Sequence, residues 1–292
     1  MSAEISKIEL ADPKYPRALK DIADPPVCLY YQGLILAQEN CLAIVGSRQP
    51  SAYGKQAGYE LAFNLAKAGL TIVSGLAPGI DTETHKGALA ANGRTIAVLG
   101  TGLDPASFYP KSNLKLAAQI IGANGLVVSE YPAGTHGSKF SFPKRNRIIS
   151  GLSLGVLIIE GKSKSGTQIT ARWAKQQGRE LMALPGPINT SNAKAPNELI
   201  KQGLAKLVEN SNDVLALLDL TPANAAKTPA VNQQNQDEAL LLKTLKQGPA
   251  HVDELIRQTG LPTSKVLSML SILELAGLIR NLGGGLYAAF ND

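Results

Sequence analysis

The sequence contains few of the residue types that bind metals or form covalent cross-links. It has two cysteines and three histidines in 292 residues. Cys28 and Cys41 lie in or beside apolar runs, which favours buried free thiols in a reducing cytoplasm over a disulfide. The histidines, at positions 85, 136 and 251, have no ligand spacing with one another or with the cysteines. The sequence therefore predicts neither a disulfide scaffold nor a metal site.

Long hydrophobic runs are also missing. The longest apolar stretches have the length of a β-strand, whereas a membrane-spanning helix needs about 20 apolar residues. Residues 1–5 have neither the positive charge nor the apolar segment of an export signal. We therefore expect a cytoplasmic protein that does not enter a membrane. The hydrophobic content of 44% is enough for a substantial core, and the chain length predicts about two domains.

Six short apolar runs end abruptly in glycine, serine or proline, and helix-length segments separate them. Apolar runs of this length, bounded by turn residues, are typical of buried parallel strands. The runs cover residues 43–45, 71–73, 96–99, 126–128, 156–159 and 181–184. The segments that we predict to be helical cover residues 52–68, 82–92, 112–122, 166–178 and 211–218. This alternation predicts a doubly wound, Rossmann-like α/β sheet.

Composition divides the chain into further parts. Residues 1–40 form an N-terminal segment whose apolar run 27–31 is predicted to be an extra edge strand, and residues 41–219 form the Rossmann-like domain. Residues 220–236 are rich in Ala, Asn, Gln and Pro and almost lack large apolar residues, which predicts a flexible linker. Residues 237–292 contain three helical segments and a glycine-turn hairpin, which predicts a small winged helix-turn-helix domain.

The predicted recognition helix of this small domain carries little positive charge. Its buried face is marked by Val266, Leu270 and Leu273, and Lys265 is offset by Glu274. Residues from 237 onwards contain five basic and six acidic side chains. A domain that grips a phosphate backbone normally carries more positive charge. The sequence therefore favours a protein-contact role for the small domain over DNA reading.

Small and polar residues follow the predicted strands. In an open parallel sheet, ligands bind beyond the carboxyl ends of the strands, where main-chain N–H groups and helix N-termini hold anions. We interpret this edge as a phosphate-binding rim. Asp81, beside the rim, is interpreted as a helix N-cap. An acid–base pair with His85 is the alternative, although a structural contact between these two residues, four apart on a helix, is favoured over it. The candidate ligand contacts on the rim are Ser47, Arg48, Ser74, Gly75, Gly100 and Gly102.

Positive charge is concentrated next to the rim. Residues 139–179 contain nine Lys or Arg residues and one acidic residue, although the whole chain has a net charge of only +6. Such a segment is typical of a protein with a polyanion partner. Phe140 and Phe142 could stack on bases, or else belong to the core. Cations at a helix start bind successive phosphates, unless one pairs with Glu130 or Asp104; the candidates are Lys144, Arg145, Asn146 and Arg147.

Two nucleotide-binding motifs are approached but are incomplete. Residues 155–163 resemble the G-x4-G-K-[ST] loop, but they contain one residue too many and lie in a predicted strand. Gly100-Thr101-Gly102 begins a dinucleotide fingerprint, yet Pro105 replaces its third glycine. We therefore expect no ATP hydrolysis and no NAD chemistry, and no cofactor is predicted.

The succession of these motifs resembles the DprA/Smf family (DNA processing protein A) in order and spacing over residues 10–218. Its most specific element is FPKRNRIISGLS at 142–153, and the C-terminal winged helix resembles that of longer family members. The other matching elements are GSR at 46–48, SGLAPGID at 74–81, AVLGTGLD at 97–104, SEYP at 129–132, SGTQITARWA at 165–174 and ALPGP at 183–187.

The resemblance implies a cytoplasmic homodimer without enzymatic activity. Such a protein binds and protects single-stranded DNA and assists RecA loading in natural transformation and homologous recombination. Many members of the family begin with a sterile-alpha-motif-like domain, and we expect this chain to depart from them by lacking it. It places DNA contacts at Ser47, Arg48, Lys144, Arg145 and Arg147, and main-chain contacts near Ser165, Gly166 and Thr167.

Two other functions remain as alternatives. The sheet also resembles that of phosphoribohydrolases acting on nucleoside monophosphates, whose PGGxGTxxE motif places a carboxylate three residues after its threonine. Here Thr170 stands at that position after Thr167, so the expected acid is missing. A winged-helix transcription regulator with a ligand-sensing domain is the third possibility, and the neutral recognition helix weakens it.

Overall fold

The computed structural model describes residues 4–163, 165–221, 240–242, 244–245, 248–275 and 279–289. The chain divides into two compact units, Met1–Pro229 and Ala230–Asp292. Most of the predicted linker, residues 222–236, lies outside the described residues. In the part of the chain that the structure describes, no helix has the length and apolar character needed to cross a membrane.

The first unit is built on a nine-stranded sheet with the order β1-β2-β6-β5-β4-β3-β7-β8-β9. Every pair of neighbours within β3 to β9 is parallel, whereas β2 pairs antiparallel with both β1 and β6. This arrangement confirms the doubly wound α/β fold. The strands are β1 Ser6–Glu9, β2 Cys28–Gly33, β3 Cys41–Val45, β4 Thr71–Ser74, β5 Thr95–Leu99, β6 Leu126–Ser129, β7 Gly155–Ile158, β8 Glu180–Ala183 and β9 Lys206–Leu207.

Helices connect the parallel strands and cover both faces of the sheet. All five predicted helices of this unit are present, with ends that differ by a few residues. The helices are α1 Arg17–Lys20, α2 Ala52–Lys67, α3 Ile80–Ala90, α4 Leu114–Gly122, α5 Ser141–Gly151, α6 Gly166–Gln176, α7 Lys194–Lys201 and α8 Ser211–Leu217.

The two faces of the sheet belong to different parts of the core. In β3, Ala43 and Val45 pack on the side that holds Ile148 of α5, whereas Leu42 and Ile44 belong to the cluster on the other side. All five residues of β3 are buried. A strand buried on both faces needs apolar residues at every position, which explains the uninterrupted apolar runs of the sequence.

The predicted edge strand over residues 27–31 is present as β2, but it is not at the edge. β1 pairs with the outer side of β2, with Ser6 opposite Tyr31 and Glu9 opposite Cys28, so β1 is the terminal strand. Only Ile8 of β1 is buried, so its alternation gives a weak sequence signal. At the other end of the sheet, the two-residue strand β9 was also not predicted.

The second unit has the elements of a winged helix. Its three-stranded sheet has the order β10-β12-β11, and residues 240–242 and 244–245 are helical. Val266, Leu270 and Leu273 are 0%, 0% and 2% exposed, as the helical spacing predicts. The remaining elements are β10 Ala250–His251, α9 Val252–Thr259, α10 Thr263–Leu275, β11 Ile279–Gly283 and β12 Leu286–Ala289.

Candidate nucleic-acid interface

A cavity of about 630 Å³ lies at the topological switch point of the large sheet. The chain places β4, β5 and β6 on one side of β3 and then returns to place β7 on the other. In open α/β sheets, the crevice beyond such a reversal is the usual ligand site. The cavity walls come from residues 45–49 at the end of β3, from α5, and from residues 161–162 and 165–170 around the start of α6.

The structure brings part of the predicted contact set together in this cavity. Two further cations, Lys139 and Lys162, line it as well. Lys162 was not singled out, although its position just after the strand β7 is a signal that could have identified it. The predicted residues that line the cavity are Ser47, Arg48, Arg145, Asn146, Ser165, Gly166 and Thr167.

Six predicted contacts do not line the cavity: Ser74, Gly75, Gly100, Gly102, Lys144 and Arg147. Ser74 is fully buried and its hydroxyl donates to the Ile44 carbonyl at 2.7 Å. A Cβ on Gly102 would lie 2.5 Å from Ser107 Oγ. The glycine at position 102 therefore serves the packing of a loop. Ser74 and Gly102 support the rim through packing and do not face the cavity.

Arg145 forms the floor of the cavity and is only 5% exposed. Its guanidinium donates to the carbonyl oxygens of Gly75, at 2.7 Å, and Val98. A Cβ on Gly75 would lie 2.6 Å from the guanidinium nitrogen Nη1, so glycine makes room for this side chain. Burial lowers the pKa of Arg145 to about 10, and the nearby Asp81 carboxylate opposes that change. Arg145 stays positively charged at neutral pH.

Asp81 is not the helix N-cap that the sequence predicts. Gly79 occupies that position, and Asp81 lies in the first turn of α3. Its Oδ2 accepts from the amides of Gly75, at 3.1 Å, and Ala77, at 3.4 Å. Burial raises the pKa of Asp81, and the charge of Arg145 and these hydrogen bonds oppose the rise. The carboxylate ties the loop after β4 to α3 and to the cavity floor.

Arg147 lies inside an ion-pair network. It is 2% exposed, its Nη1 and Nη2 donate to the two Glu130 carboxylate oxygens at 3.0 and 2.8 Å, and its Nε donates to Asp24 at 2.8 Å. Lys144 is 55% exposed, with its Nζ 3.7 Å from Glu130. The contact of Arg147 with DNA stays a prediction, and these pairs favour a structural role for it. They link α5 to the end of β6 and to the N-terminal segment.

An aromatic wall closes one side of the cavity. The Phe142 ring lies between two backbone segments, since a Cβ would come within 2.9 Å of it at Gly100 and within 2.4 Å at Gly137. The Arg48 guanidinium lies 5.4 Å from the centre of the ring, within cation–π range. Phe140 is 73% exposed, and Lys139 Nζ lies 5.1 Å from its ring centre. Two aromatic rings and two cations therefore flank the cavity.

The first turn of α6 faces the cavity with free backbone donors. The first amides of a helix have no partner within it, and Ser165 makes no side-chain cap here. Among the described residues, no acceptor pairs with the amide of Gly166 or Thr167. The hydroxyls of Ser165 and Thr167 are 2.5 Å apart, and Asn146 donates to the Gly166 carbonyl at 3.4 Å. This end of α6 is suited to an anion such as a phosphate.

The start of α2 is occupied by a carboxylate of the chain itself. Glu160, 4% exposed, accepts from the Ser51 amide at 3.0 Å and from the Ser51 hydroxyl at 2.5 Å. A Cβ on Gly54 would lie 2.4 Å from the Glu160 carboxyl carbon, so the acid fits closely against the first turn. The acidic residue of the basic segment therefore stabilises a helix end next to the rim.

His85 does not form an acid–base pair at the cavity. It is fully buried, and its Nδ1 lies 2.7 Å from the Thr95 hydroxyl. Burial lowers the pKa of His85 to about 3, so the ring is neutral at physiological pH. Among the described residues, no group of three or more His, Cys, Asp or Glu side chains could hold a metal ion.

An open α/β sheet with a cationic cavity at its switch point defines a Rossmann-like protein, combined here with a winged-helix unit. The family model for DNA recombination-mediator protein A matches residues 6–219, and the model for the DprA winged helix domain matches residues 222–285. The chain belongs to this DprA/Smf family, as the motif order suggests.

Curated relatives agree with this assignment. Protein Smf of Escherichia coli (strain K12) is 41% identical over 282 residues, which cover 93% of this chain and 74% of the relative. DNA processing protein DprA of Streptococcus pneumoniae is 45% identical over 220 residues, covering 74% and 76% of the two chains.

Solved structures show the same fold over about three quarters of this chain. The X-ray structure of DprA from Streptococcus pneumoniae has a TM-score of 0.68 and 43% identity, and covers 73% of this chain and 74% of that chain. DNA processing protein A from Helicobacter pylori has a TM-score of 0.66 and 35% identity, covering 75% and 99%. The latter structure describes the single-stranded DNA binding mode of that protein.

Proposed function

We propose that this chain binds single-stranded DNA in the cavity at the switch point, with little dependence on base sequence. The observation that carries the proposal is the composition of the cavity wall. Arg48, Lys139 and Lys162 are exposed cations on its lining, Arg145 forms its floor, and Phe142 forms one side. Single-stranded nucleic acids are held by this combination of a positively charged groove and aromatic faces.

The available contacts explain why base identity has little effect. Cations and the free amides of α6 recognise phosphate oxygens, which every nucleotide carries. Aromatic rings recognise base faces, which every base presents. A duplex hides its base faces in the stack, so a site of this kind favours a single strand.

The family resemblance supports a wider role that goes with this proposal. The bound strand is protected from nucleases, and the complex assists RecA loading in natural transformation and homologous recombination in the cytoplasm. The winged-helix unit serves as a protein contact in this proposal, because residues from 237 onwards contain five basic and six acidic side chains and so lack the positive charge that grips a phosphate backbone.

The protein acts as a homodimer in this proposal. One cavity with a few cations has modest affinity, whereas a second cavity on the same strand raises the overall affinity through effective concentration. Long oligonucleotides should therefore bind far more tightly than those that fill one cavity. Sedimentation at micromolar concentration, combined with a length series, tests this part separately. A stable monomer with no gain from length would contradict it.

The binding site itself is tested by the salt dependence of affinity. For a single strand, the log–log slope of affinity against salt is about −0.7 per neutralised phosphate. Arg48→Ala should flatten the slope by about 0.7 in fluorescence anisotropy with labelled oligothymidylate. The control is Lys67→Ala, an exposed cation in the last turn of α2, where the slope should not change. An unchanged slope for Arg48→Ala would remove it from the site.

The enzyme alternative is tested in the same samples. Thr170 occupies the position of the phosphoribohydrolase acid, and its hydroxyl donates to the Gly166 carbonyl at 3.4 Å. Asp81, a carboxylate on the cavity lining, is held by two loop amides beside Arg145. We expect no release of free base from nucleoside monophosphates. Steady release that stops on Arg48→Ala would favour the enzyme.

A further inference from the structure

An exposed tyrosine extends the aromatic wall beyond the cavity. Tyr109 is 47% exposed, and its ring centre lies 5.6 Å from that of Phe142, with the two planes tilted by 53°. It does not line the cavity, so neither the switch point nor the basic segment accounts for it. Arg48, Phe142 and Tyr109 form a continuous row of one cation and two rings that leads out of the cavity.

The loop that carries Tyr109 is fixed on both sides of the residue. Before it, the Asp104 carboxylate accepts from the amides of Ser107, at 3.1 Å, and Gly134, at 2.7 Å. After it, the buried Asn113 side chain donates to the Leu76 carbonyl at 2.8 Å. The preceding residue, Phe108, is 3% exposed and belongs to the core.

This anchoring fixes the backbone of Tyr109 although its ring is exposed. A large exposed ring on a fixed backbone loses little conformational freedom when it binds, which is why tyrosine is favoured at contact surfaces. It also leaves apolar area in water that a flat partner could cover. A nucleobase is a flat partner of suitable size, and base–aromatic stacking is worth enough to measure for each base.

We propose that Tyr109 is a second base-stacking residue, which holds the nucleobase of a strand as it leaves the cavity past Phe142. This inference rests on the proposed single-stranded DNA site and lengthens it by one platform. It assigns the exit of the strand to the side of the loop between β5 and α4. The contact is made through the ring face, which stacks on a base, and Tyr109→Phe separates it from a hydrogen bond of the phenol hydroxyl to a phosphate.

The test combines a protein variant with a change in the DNA. Full-length wild type and Tyr109→Ala are titrated with labelled oligothymidylate and with an abasic strand of equal length. Tyr109→Ala should weaken binding to oligothymidylate by about 5- to 150-fold and to the abasic strand by less than about twofold. Its salt slope should equal that of the wild type. Tyr109→Phe, which keeps the ring, should bind like the wild type.

Two further variants separate a direct contact from indirect effects. Tyr53→Ala is the matched control, since Tyr53 is 44% exposed and lies outside the row of rings; it should not discriminate between the two strands. Tyr109→Leu keeps apolar bulk against Phe142 but has no aromatic face, and should behave like Tyr109→Ala. If Phe142→Ala abolished the effect of Tyr109→Ala, Tyr109 would act only through Phe142 and the inference would be wrong.

The outcomes distinguish this inference from the function on which it rests. An equal loss on both strands, or no loss on either while Arg48→Ala still weakens binding, would overturn the stacking role and leave the cavity site in place. Failure of the wild type to bind oligothymidylate would overturn the proposed function itself.

Discussion

The Arg147→Met variant should have a lower free energy of unfolding than the wild type. The salt dependence of its DNA binding should not change. Arg147 is 2% exposed and holds the Glu130 carboxylate, whose side chain is 10% exposed, with two hydrogen bonds. Removing one partner of a buried pair leaves an uncompensated charge, which costs about 3–5 kcal/mol. Lys144, 3.7 Å from Glu130, still compensates part of that charge. We therefore expect a loss of about 3 kcal/mol in the free energy of unfolding.

The assay is urea denaturation of both proteins followed by circular dichroism, with binding measured in parallel. A loss of this size is a large fraction of the usual 5–15 kcal/mol. Lys144→Met is the control, because this 55% exposed side chain forms a surface pair worth at most about 1 kcal/mol. The double variant Glu130→Gln/Arg147→Met should recover part of the loss, because no unpaired charge is then left in the interior.

The refuting result is specific. If Arg147→Met kept the stability of the wild type and flattened the salt slope of DNA binding by about 0.7, Arg147 would neutralise a phosphate. The ion pairs of Arg147 with Glu130 and Asp24 would then form in the free protein and be replaced by a phosphate contact when DNA binds. An unchanged slope with a large loss of stability assigns Arg147 to structure.

Two other changes should have effects that the structure explains. The pKa of His85 is lowered to about 3, whereas it is about 6.5 in the unfolded chain. Between these two values the unfolded state binds more protons than the folded state. The free energy of unfolding should therefore fall as the pH falls through this window, by up to about 1.4 kcal/mol per pH unit. Urea denaturation at several pH values should show a steeper dependence in wild type and in His136→Asn than in His85→Asn, where only the carboxyl groups contribute. Gly137→Ala places a Cβ 2.4 Å from Phe142, so affinity for oligothymidylate should drop while the salt slope stays constant. Gly122→Ala, where a Cβ meets nothing within 4 Å, should bind normally; equal behaviour of both variants would contradict the aromatic-wall role.

The fold could be predicted because buried parallel strands leave an unambiguous pattern. Every position of β3, from Cys41 to Val45, is apolar and buried, and turn residues follow directly. β1 could not be predicted in the same way, since Ile8 is its single buried residue. The edge of a sheet makes weaker demands on sequence than its centre does.

The site could be predicted only as far as strand ends and charge indicate it. Arg48 and Arg145 follow from those signals, but sequence spacing does not show which cation turns inward. Arg147 is two residues beyond Arg145 on the same helix, and it points to Glu130, a residue that only the tertiary fold brings near. The contact between Phe142 and Gly137 is likewise a matter of packing. The prediction of Asp81 as the helix N-cap was also wrong, because α3 begins earlier than the sequence pattern indicates and Gly79 occupies that position.

The carboxylates of Glu160 and Asp81 determine how many backbone amides remain for an external anion at the proposed site. Each of these acids already occupies backbone amides beside the cavity, at Ser51 and at Gly75 and Ala77. A small anion therefore gains the start of α6 and a few cations, and little else. A polymer gains the same contacts and further ones along its length. At the proposed site, the two internal acids therefore leave fewer backbone amides for a small anion, and a longer strand has contacts beyond them.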